Sequence, residues 1–301
     1  MNYLQFDNNT ENKKSQEQKV LRKLCKKKNE NIDIINYLYS IGEDIKANNI
    51  KECASFVGIT EINGITKIVK SNFCRERVCK ICAWRRQAKF ISQMIPTLSA
   101  LQNKGYNFIF ATLTLKNCTY EEVSTNIDIL MNGYNLLCKR REIKKAWKGM
   151  CRSVEITYND ITNTFHPHIH ILIAVDSTYN QNYISQQRLS QIWKESTNTD
   201  YTPIVDIRKV TDNAKASVET LKYALKPTQY KQALNVFLYQ LKSRRLISFS
   251  GVINQQRKLL KYSSLEEDNL NDEINVNAYR YNLYKFDVTG GIYKFYEQFN
   301  S

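Results

Sequence analysis

The sequence contains no apolar run that approaches the ~18 residues of a membrane-spanning helix. Its polar start, MNYLQFDNNTENKKSQEQK, lacks the apolar centre of a secretory signal peptide. Acidic residues are few, 29 against 44 Lys and Arg, and the formal net charge is +15. We therefore expect a soluble, cytoplasmic protein whose cationic surface has nucleic acid, and no membrane, as its partner.

Histidine is also scarce, and its placement is informative. All three histidines, His166, His168 and His170, lie within five residues at the head of the apolar run 171–175. In a strand these side chains project from one face, and Ile169 projects from the other, toward a core. Neutral imidazole is the commonest metal ligand in proteins, so the pattern predicts a divalent-metal site. The alternative is a strand whose polar face happens to carry histidine.

The eight cysteines are interpreted as thiols or metal ligands, because disulfides are rare in cytoplasmic proteins. Four are scattered and are expected to be buried free thiols: Cys25, Cys118, Cys138 and Cys151. The other four are spaced so that their sulfurs can converge: Cys53, Cys74, Cys79 and Cys82. Four thiolates leave no position for a substrate, so we predict a structural Zn2+. A three-cysteine site completed from elsewhere and a set of unrelated thiols are the alternatives.

Basic residues surround these cysteines, with Trp84 among them. Cations interleaved with an aromatic ring suit contact with the DNA backbone. The predicted DNA-binding residues are Arg75, Arg77, Arg85 and Arg86. A second basic cluster, within residues 19–28, is either a helical strip that faces phosphates or ordinary surface charge.

The middle of the chain alternates between strand and helix patterns. Strands are predicted at 108–115, 152–159, the histidine segment and 203–210, and helices at 121–138, 184–195 and from 213 or 214 to Pro227. The histidine strand and the strand before it form a hairpin across a turn at 160–164. This order predicts an α+β fold with a central antiparallel sheet flanked by helices, after an N-terminal cysteine-rich zinc segment.

The last predicted helix carries residue types suited to phosphoryl transfer. Glu219 and Tyr223 are four residues apart and share a helical face, and Lys222 and Lys226 repeat that spacing beside them. A phenol can act as nucleophile, a carboxylate as base and the ammonium groups as a charge clamp. Alone, such a Glu–Tyr pair is more often an ordinary contact on a helix surface.

The order of the motifs is more specific than any one of them. FATLTL (110–115), HPHIHILIAV (166–175) and ETLKYALK (219–226) follow the cysteine stretch FCRERVCKIC (73–82). Together they resemble the motifs of rolling-circle replication initiators of the HUH endonuclease superfamily, and most closely the plasmid Rep family with one Tyr and one Glu. The resemblance covers roughly residues 50–260.

The resemblance implies roles for individual residues. His168 and His170 would be the paired ligands of a catalytic Mn2+ or Mg2+, and Tyr223 would attack a scissile DNA phosphate. The products would be a 5′-phosphotyrosine link and a free 3′-hydroxyl primer. Glu219 would activate water at termination. The third metal ligand is either His166 or Glu155, and we favour Glu155 because Pro167 can bend the strand and move His166 away.

The resemblance also suggests how the chain is divided. The chain begins with a polar basic arm and helix (1–50) and the cysteine-rich zinc segment (51–92). A nicking domain (105–228) comes next. A basic helical extension (229–262) and a variable C-terminal tail (263–301) follow it. The expected partners of the whole protein are plasmid double-strand origin DNA and single-stranded DNA, with a host helicase and polymerase.

The same residues are compatible with two other functions and exclude a third. A non-catalytic, zinc-containing DNA-binding regulator and a transposase or relaxase of the same superfamily are the alternatives. A zinc nucleobase deaminase is excluded, because its motif needs H-x-E before P-C-x-x-C, whereas here the cysteines come first and no Glu lies between the histidines.

Overall fold

Two antiparallel sheets contain all the strands in the computed structural model, which describes residues 8–211, 231–262 and 279–299. The chain divides into two compact units, one formed by residues 1–86 with 266–301 and the other by residues 87–265. Helices pack against the sheets, and the α+β class predicted from the sequence is confirmed.

The described elements follow one another in this order: α1 (Asn8–Glu30), α2 (Ile32–Ser40), α3 (Asp44–Glu52), β1 (Phe56–Ile62), β2 (Ile65–Ser71), α4 (Lys80–Asn103), β3 (Asn107–Thr114), α5 (Val123–Lys139), α6 (Arg141–Ala146), β4 (Gly149–Asn159), β5 (Thr164–Val175), a 3-10 turn (Ser177–Asn182), α7 (Gln186–Thr197), β6 (Val205–Lys209), α8 (Lys231–Asn235) with a π-helical turn (Val236–Gln240), β7 (Ile247–Ser250), α9 (Gly251–Leu259), β8 (Tyr281–Asp287) and β9 (Ile292–Phe299).

The sheet of the first unit has the order β2-β1-β8-β9. Its β1–β2 hairpin turns through Asn63 and Gly64, both with positive φ (51° and 75°), a conformation that Asn and Gly adopt most readily. Strands β8 and β9 come from the segment that the sequence suggested was a variable tail. That segment therefore supplies half of this sheet.

The sheet of the second unit has the order β6-β3-β5-β4-β7. Helices α4 and α9 contribute Phe90, Leu98 and Ile253 to a core that includes Leu172 of β5. The isoleucines that alternate with the histidines, at positions 169, 171 and 173, are fully buried. The prediction that these isoleucines enter a core on the face opposite the histidines is confirmed, and further along β5 the histidine face is buried as well, at Leu172.

Several elements differ from their predictions. The region expected to be a polar basic arm and helix (1–50) contains α1, α2 and the start of α3, and α2 is separated from α3 because Gly42, with φ of +77°, follows the end of α2. The region 229–262, expected to be helical, also contains β7, which pairs with β4. The helix predicted from residue 213 or 214 to Pro227 lies outside the described residues. Across the described ranges, no helix is long and apolar enough to cross a membrane.

Candidate functional site

Two neighbouring strands bring Glu155, His168 and His170 together. Glu155 of β4 lies directly opposite His168 of β5, and His170 follows on the same face. The Glu155 Oε2 atom is 2.9 Å from His170 Nε2 and 3.3 Å from His168 Nε2. One potential ligand atom from each residue lies within 4.8 Å of the others. We call this group the Glu–His–His cluster.

The cluster is largely shielded from water, since its side chains are between 7% and 12% exposed. Burial tends to raise the pKa of Glu155, but hydrogen bonds with His168 and His170 outweigh it and lower the pKa to about 2. The carboxylate is therefore ionised at neutral pH. One carboxylate oxygen and two imidazole nitrogens are common ligands of divalent cations, so the residues fit a divalent metal ion.

The two imidazoles are held by their second nitrogen atoms. Nδ1 of His170 lies 3.1 Å from the Thr112 hydroxyl of β3, and Nδ1 of His168 lies 3.0 Å from the main-chain oxygen of His166. Both Nε2 atoms consequently face Glu155. Thr112 was not among the residues predicted from the sequence to belong to the site. The sequence marks Thr112 only as a member of the FATLTL motif. Its position opposite His170 depends on how β3 pairs with β5, which the local sequence does not determine.

His166 lies beside the cluster and outside the group of converging ligand atoms. Its ring stacks against that of His168, with the centroids 5.2 Å apart. Burial, and then the nearby His168, lower the pKa of His166, which favours its neutral form. The structure thus places the carboxylate of Glu155, and not the ring nitrogens of His166, among the converging ligand atoms of the paired histidines.

The four cysteines predicted to bind zinc also converge, in the first unit. Cys53, Cys74, Cys79 and Cys82 offer sulfur atoms that all lie within 4.8 Å of one another. Main-chain amides support them, because the amide of Cys74 donates to Cys53 Sγ and the amide of Arg75 donates to Cys82 Sγ. Arg75 has a φ of 63°, a strained value for a residue other than glycine. We call this group the four-cysteine cluster.

The protonation behaviour of this cluster fits a bound cation. Hydrogen bonds with Cys53, Cys79 and Cys82 raise the pKa of the Cys74 thiol. Burial tends to raise the pKa of Cys79 as well, but hydrogen bonds from its neighbours outweigh it and hold that pKa well below its usual value. Several thiolates at this spacing repel one another and require a positive ion between them. Four sulfur ligands are typical of a structural zinc site.

A buried asparagine supports this cluster, and sequence reasoning did not find it. Asn31, only 1% exposed, donates from Nδ2 to Cys79 Sγ at 3.5 Å. Its Oδ1 accepts from the amide of Lys80 at 2.8 Å, at the start of α4. Asn31 therefore fixes Cys79 and the first turn of α4 in one arrangement.

The four predicted DNA-binding arginines differ in their surroundings. Arg75 is exposed, whereas Arg77, Arg85 and Arg86 are half-buried. The guanidinium of Arg86 donates to the main-chain oxygens of Arg75 (2.7 Å) and Glu76 (3.0 Å), and that of Arg85 lies over the Phe73 ring. Arg75 has the most accessible side chain of the four. The predicted catalytic residues Glu219, Lys222, Tyr223 and Lys226 lie outside the described residues.

Comparisons with known proteins agree on one family. A family model described as "Replication protein" matches residues 65–289. Proteins named "Protein rep" from Streptococcus pneumoniae serotype 2, a Bacillus species and Lactiplantibacillus plantarum are 35%, 32% and 31% identical over 223, 257 and 288 residues. The alignments cover 69%, 75% and 88% of this chain and 69%, 84% and 88% of the relatives. No solved structure matches the chain. The matched region includes both metal-ligand clusters apart from Cys53, and the chain belongs to the replication protein family, as its resemblance to plasmid Rep initiators predicted.

Proposed function

We propose that this protein initiates rolling-circle replication of a plasmid by nicking and rejoining one DNA strand at the origin. The observation that carries the proposal is the Glu–His–His cluster, a shielded set of residues able to hold a metal ion on the sheet of the second unit, in a replication-family protein. The net charge of +15 supports a polyanionic substrate. The proposed partners are double-stranded origin DNA and single-stranded DNA, with a host helicase and polymerase acting after the nick.

The proposed reaction exchanges one phosphate ester for another. The phenol oxygen of Tyr223 attacks the scissile phosphorus, and the bond between phosphorus and the 3′ oxygen breaks. The phenol gives up its proton, and the released 3′ oxygen gains one to become a hydroxyl primer. The phosphate remains on the 5′ oxygen of the downstream nucleotide and is now also esterified to tyrosine. Because one ester replaces another, the reverse reaction can rejoin the strand.

The chain's other residues would assist that exchange. A phenol has a pKa near ~10, so at neutral pH Tyr223 must lose its proton to a base or to solvent as it attacks. Lys222 and Lys226 would hold the phosphate charge, and Glu219 would deprotonate the water that releases the enzyme at termination. Glu155, His168 and His170 would hold Mn2+ or Mg2+. A cation bound there would neutralise the negative charge that develops on the phosphate oxygens during the reaction.

A covalent trap tests the proposal. Supercoiled plasmid that carries this gene and its flanking DNA is incubated with the full chain and Mn2+, then digested for peptide mass spectrometry. We expect a nucleotide adduct on Tyr223 that EDTA prevents. If the plasmid is bound but is neither nicked nor attached to tyrosine, the protein is a DNA-binding regulator and the proposal is wrong.

The choice of third ligand gives a direct prediction. Glu155→Gln keeps the side-chain shape but removes the negative charge, and we expect it to weaken Mn2+ binding by more than about tenfold. His166→Phe keeps an aromatic ring against His168, and we expect a change below about threefold, because the His166 main-chain oxygen is retained. Isothermal titration with Mn2+ measures both. The reverse ranking of the two variants would identify His166 as the third ligand.

The arginines beside the four-cysteine cluster give a second prediction. Arg75→Ala should weaken DNA binding about equally for all sequences and lower the slope of log affinity against log salt by about 1, because one phosphate contact is lost. Arg86→Ala should instead lower the thermal midpoint, because the guanidinium no longer donates to the main-chain oxygens of Arg75 and Glu76. Fluorescence anisotropy with labelled duplex DNA at several salt concentrations measures the slope, and Lys145→Ala, at an exposed position on α6, is the control. An unaltered slope for Arg75→Ala would remove that residue from the DNA interface.

A further inference from the structure

We infer that Thr112 positions His170 for metal binding, an inference that rests on the proposed function of the Glu–His–His cluster. Thr112 of β3 lies directly opposite His170 of β5, and its hydroxyl is 3.1 Å from His170 Nδ1. The other ring nitrogen of His170 is 2.9 Å from Glu155 Oε2. The imidazole is thus held at both nitrogens, by a hydroxyl on one side and a carboxylate on the other.

The hydroxyl suits this role because it can both donate and accept. When Nε2 gives its lone pair to a cation, Nδ1 carries the ring hydrogen, and Oγ1 of Thr112 can accept that hydrogen bond. A partner on the far nitrogen of a metal-binding histidine fixes its tautomer and orientation and raises its basicity. Thr112 is therefore a positioning residue that acts through His170.

His168 obtains the same support without a side chain. Its Nδ1 lies 3.0 Å from the main-chain oxygen of His166, a contact that a substitution at 166 does not remove. Of these two Nδ1 contacts, only the one from the Thr112 side chain can be removed by a substitution. The ring of Phe110, whose centroid is 5.4 Å from that of His170, packs near the same imidazole and offers no hydrogen bond.

The same strand provides a matched control. Thr114 lies opposite His168 on the same face of the sheet, but its hydroxyl donates to the main-chain oxygen of Ile204 at 2.8 Å. Thr112 and Thr114 thus share residue type, strand and face, and they differ in whether the hydroxyl contacts an imidazole. If valine on this strand lowered Mn2+ affinity for reasons unrelated to the imidazole contact, both Thr112→Val and Thr114→Val would show the loss.

Mn2+ titration of the full chain by calorimetry tests the inference. We expect Thr112→Val to weaken Mn2+ binding by about 10- to 100-fold, and Thr112→Ser, which keeps the hydroxyl, and Thr114→Val to stay within about threefold of wild type. We also expect saturating Mn2+ to restore the nicking rate of Thr112→Val, because the defect lies in metal affinity. Thr112→Ala provides a second variant without the hydroxyl if the valine variant fails to fold.

The outcomes separate this inference from the proposed function. If wild type binds Mn2+ and Thr112→Val binds it equally well, the positioning role is wrong and the metal site stands. Equal losses in Thr112→Val and Thr112→Ser would also overturn the role, because the hydroxyl would not be the cause. If wild type binds no Mn2+, the metal site itself is wrong, and the role of Thr112 is wrong with it.

Discussion

Tyr223→Phe is expected to form no covalent adduct with plasmid DNA and to nick it at least about a thousandfold more slowly than wild type. The substitution removes a single oxygen, which is the atom proposed to form the new phosphate ester. The aromatic ring is retained, so binding of origin DNA should be unaltered. Agarose gels measure loss of supercoiled plasmid, mass spectrometry measures the adduct, and anisotropy measures DNA affinity.

Two control variants test whether the loss of nicking in Tyr223→Phe is due to the missing nucleophile. Tyr230→Phe should keep wild-type nicking and adduct formation, because Pro227 lies between the two tyrosines in the sequence and the helix predicted to carry Tyr223 is expected to end there. Glu219→Gln keeps the nucleophile and removes the base proposed for termination, so the adduct should form and accumulate. Nicking that survives in Tyr223→Phe but is lost in Tyr230→Phe would move the nucleophile to position 230.

The candidate metal site was largely readable from the sequence, because it depends on local geometry. The alternation of β5 places His168 and His170 on one face whatever the rest of the fold, and the short turn before β5 makes β4 its neighbour. Glu155 followed as a ligand candidate from that hairpin. Thr112 did not follow, because it belongs to β3, whose register against β5 is set by packing of the whole sheet.

The first unit contains one feature that its sequence does indicate and others that no local sequence pattern can indicate. Asn63-Gly64 between two apolar segments is a strong hairpin signal, although the prediction for residues 51–92 contained only the cysteine-rich zinc segment. By contrast, β1 pairs with β8, more than two hundred residues away in the sequence. Asn31 is likewise remote from Cys79 in the sequence but hydrogen-bonded to it. No local pattern carries such information.

Cys79→Ser is expected to release zinc and to lower the thermal midpoint of the chain by more than about 10 °C. Structural zinc binds with an apparent free energy of about 10–16 kcal/mol, comparable to the whole unfolding free energy of about 5–15 kcal/mol typical of a protein. A serine hydroxyl stays protonated at neutral pH and cannot replace the thiolate. Zinc content by elemental mass spectrometry and unfolding by circular dichroism measure the two effects.

The control is Cys25→Ser, which removes a thiol from the same unit but outside the four-cysteine cluster. We expect it to retain one zinc per chain and a midpoint close to that of wild type. Because bound thiolates have lost their protons, the zinc affinity of the wild-type chain should also fall as pH is lowered. A wild-type chain without zinc, with Cys79→Ser unfolding at the same temperature, would make these four residues ordinary buried thiols. The first unit would then owe its stability to the apolar contacts of its sheet and helices alone.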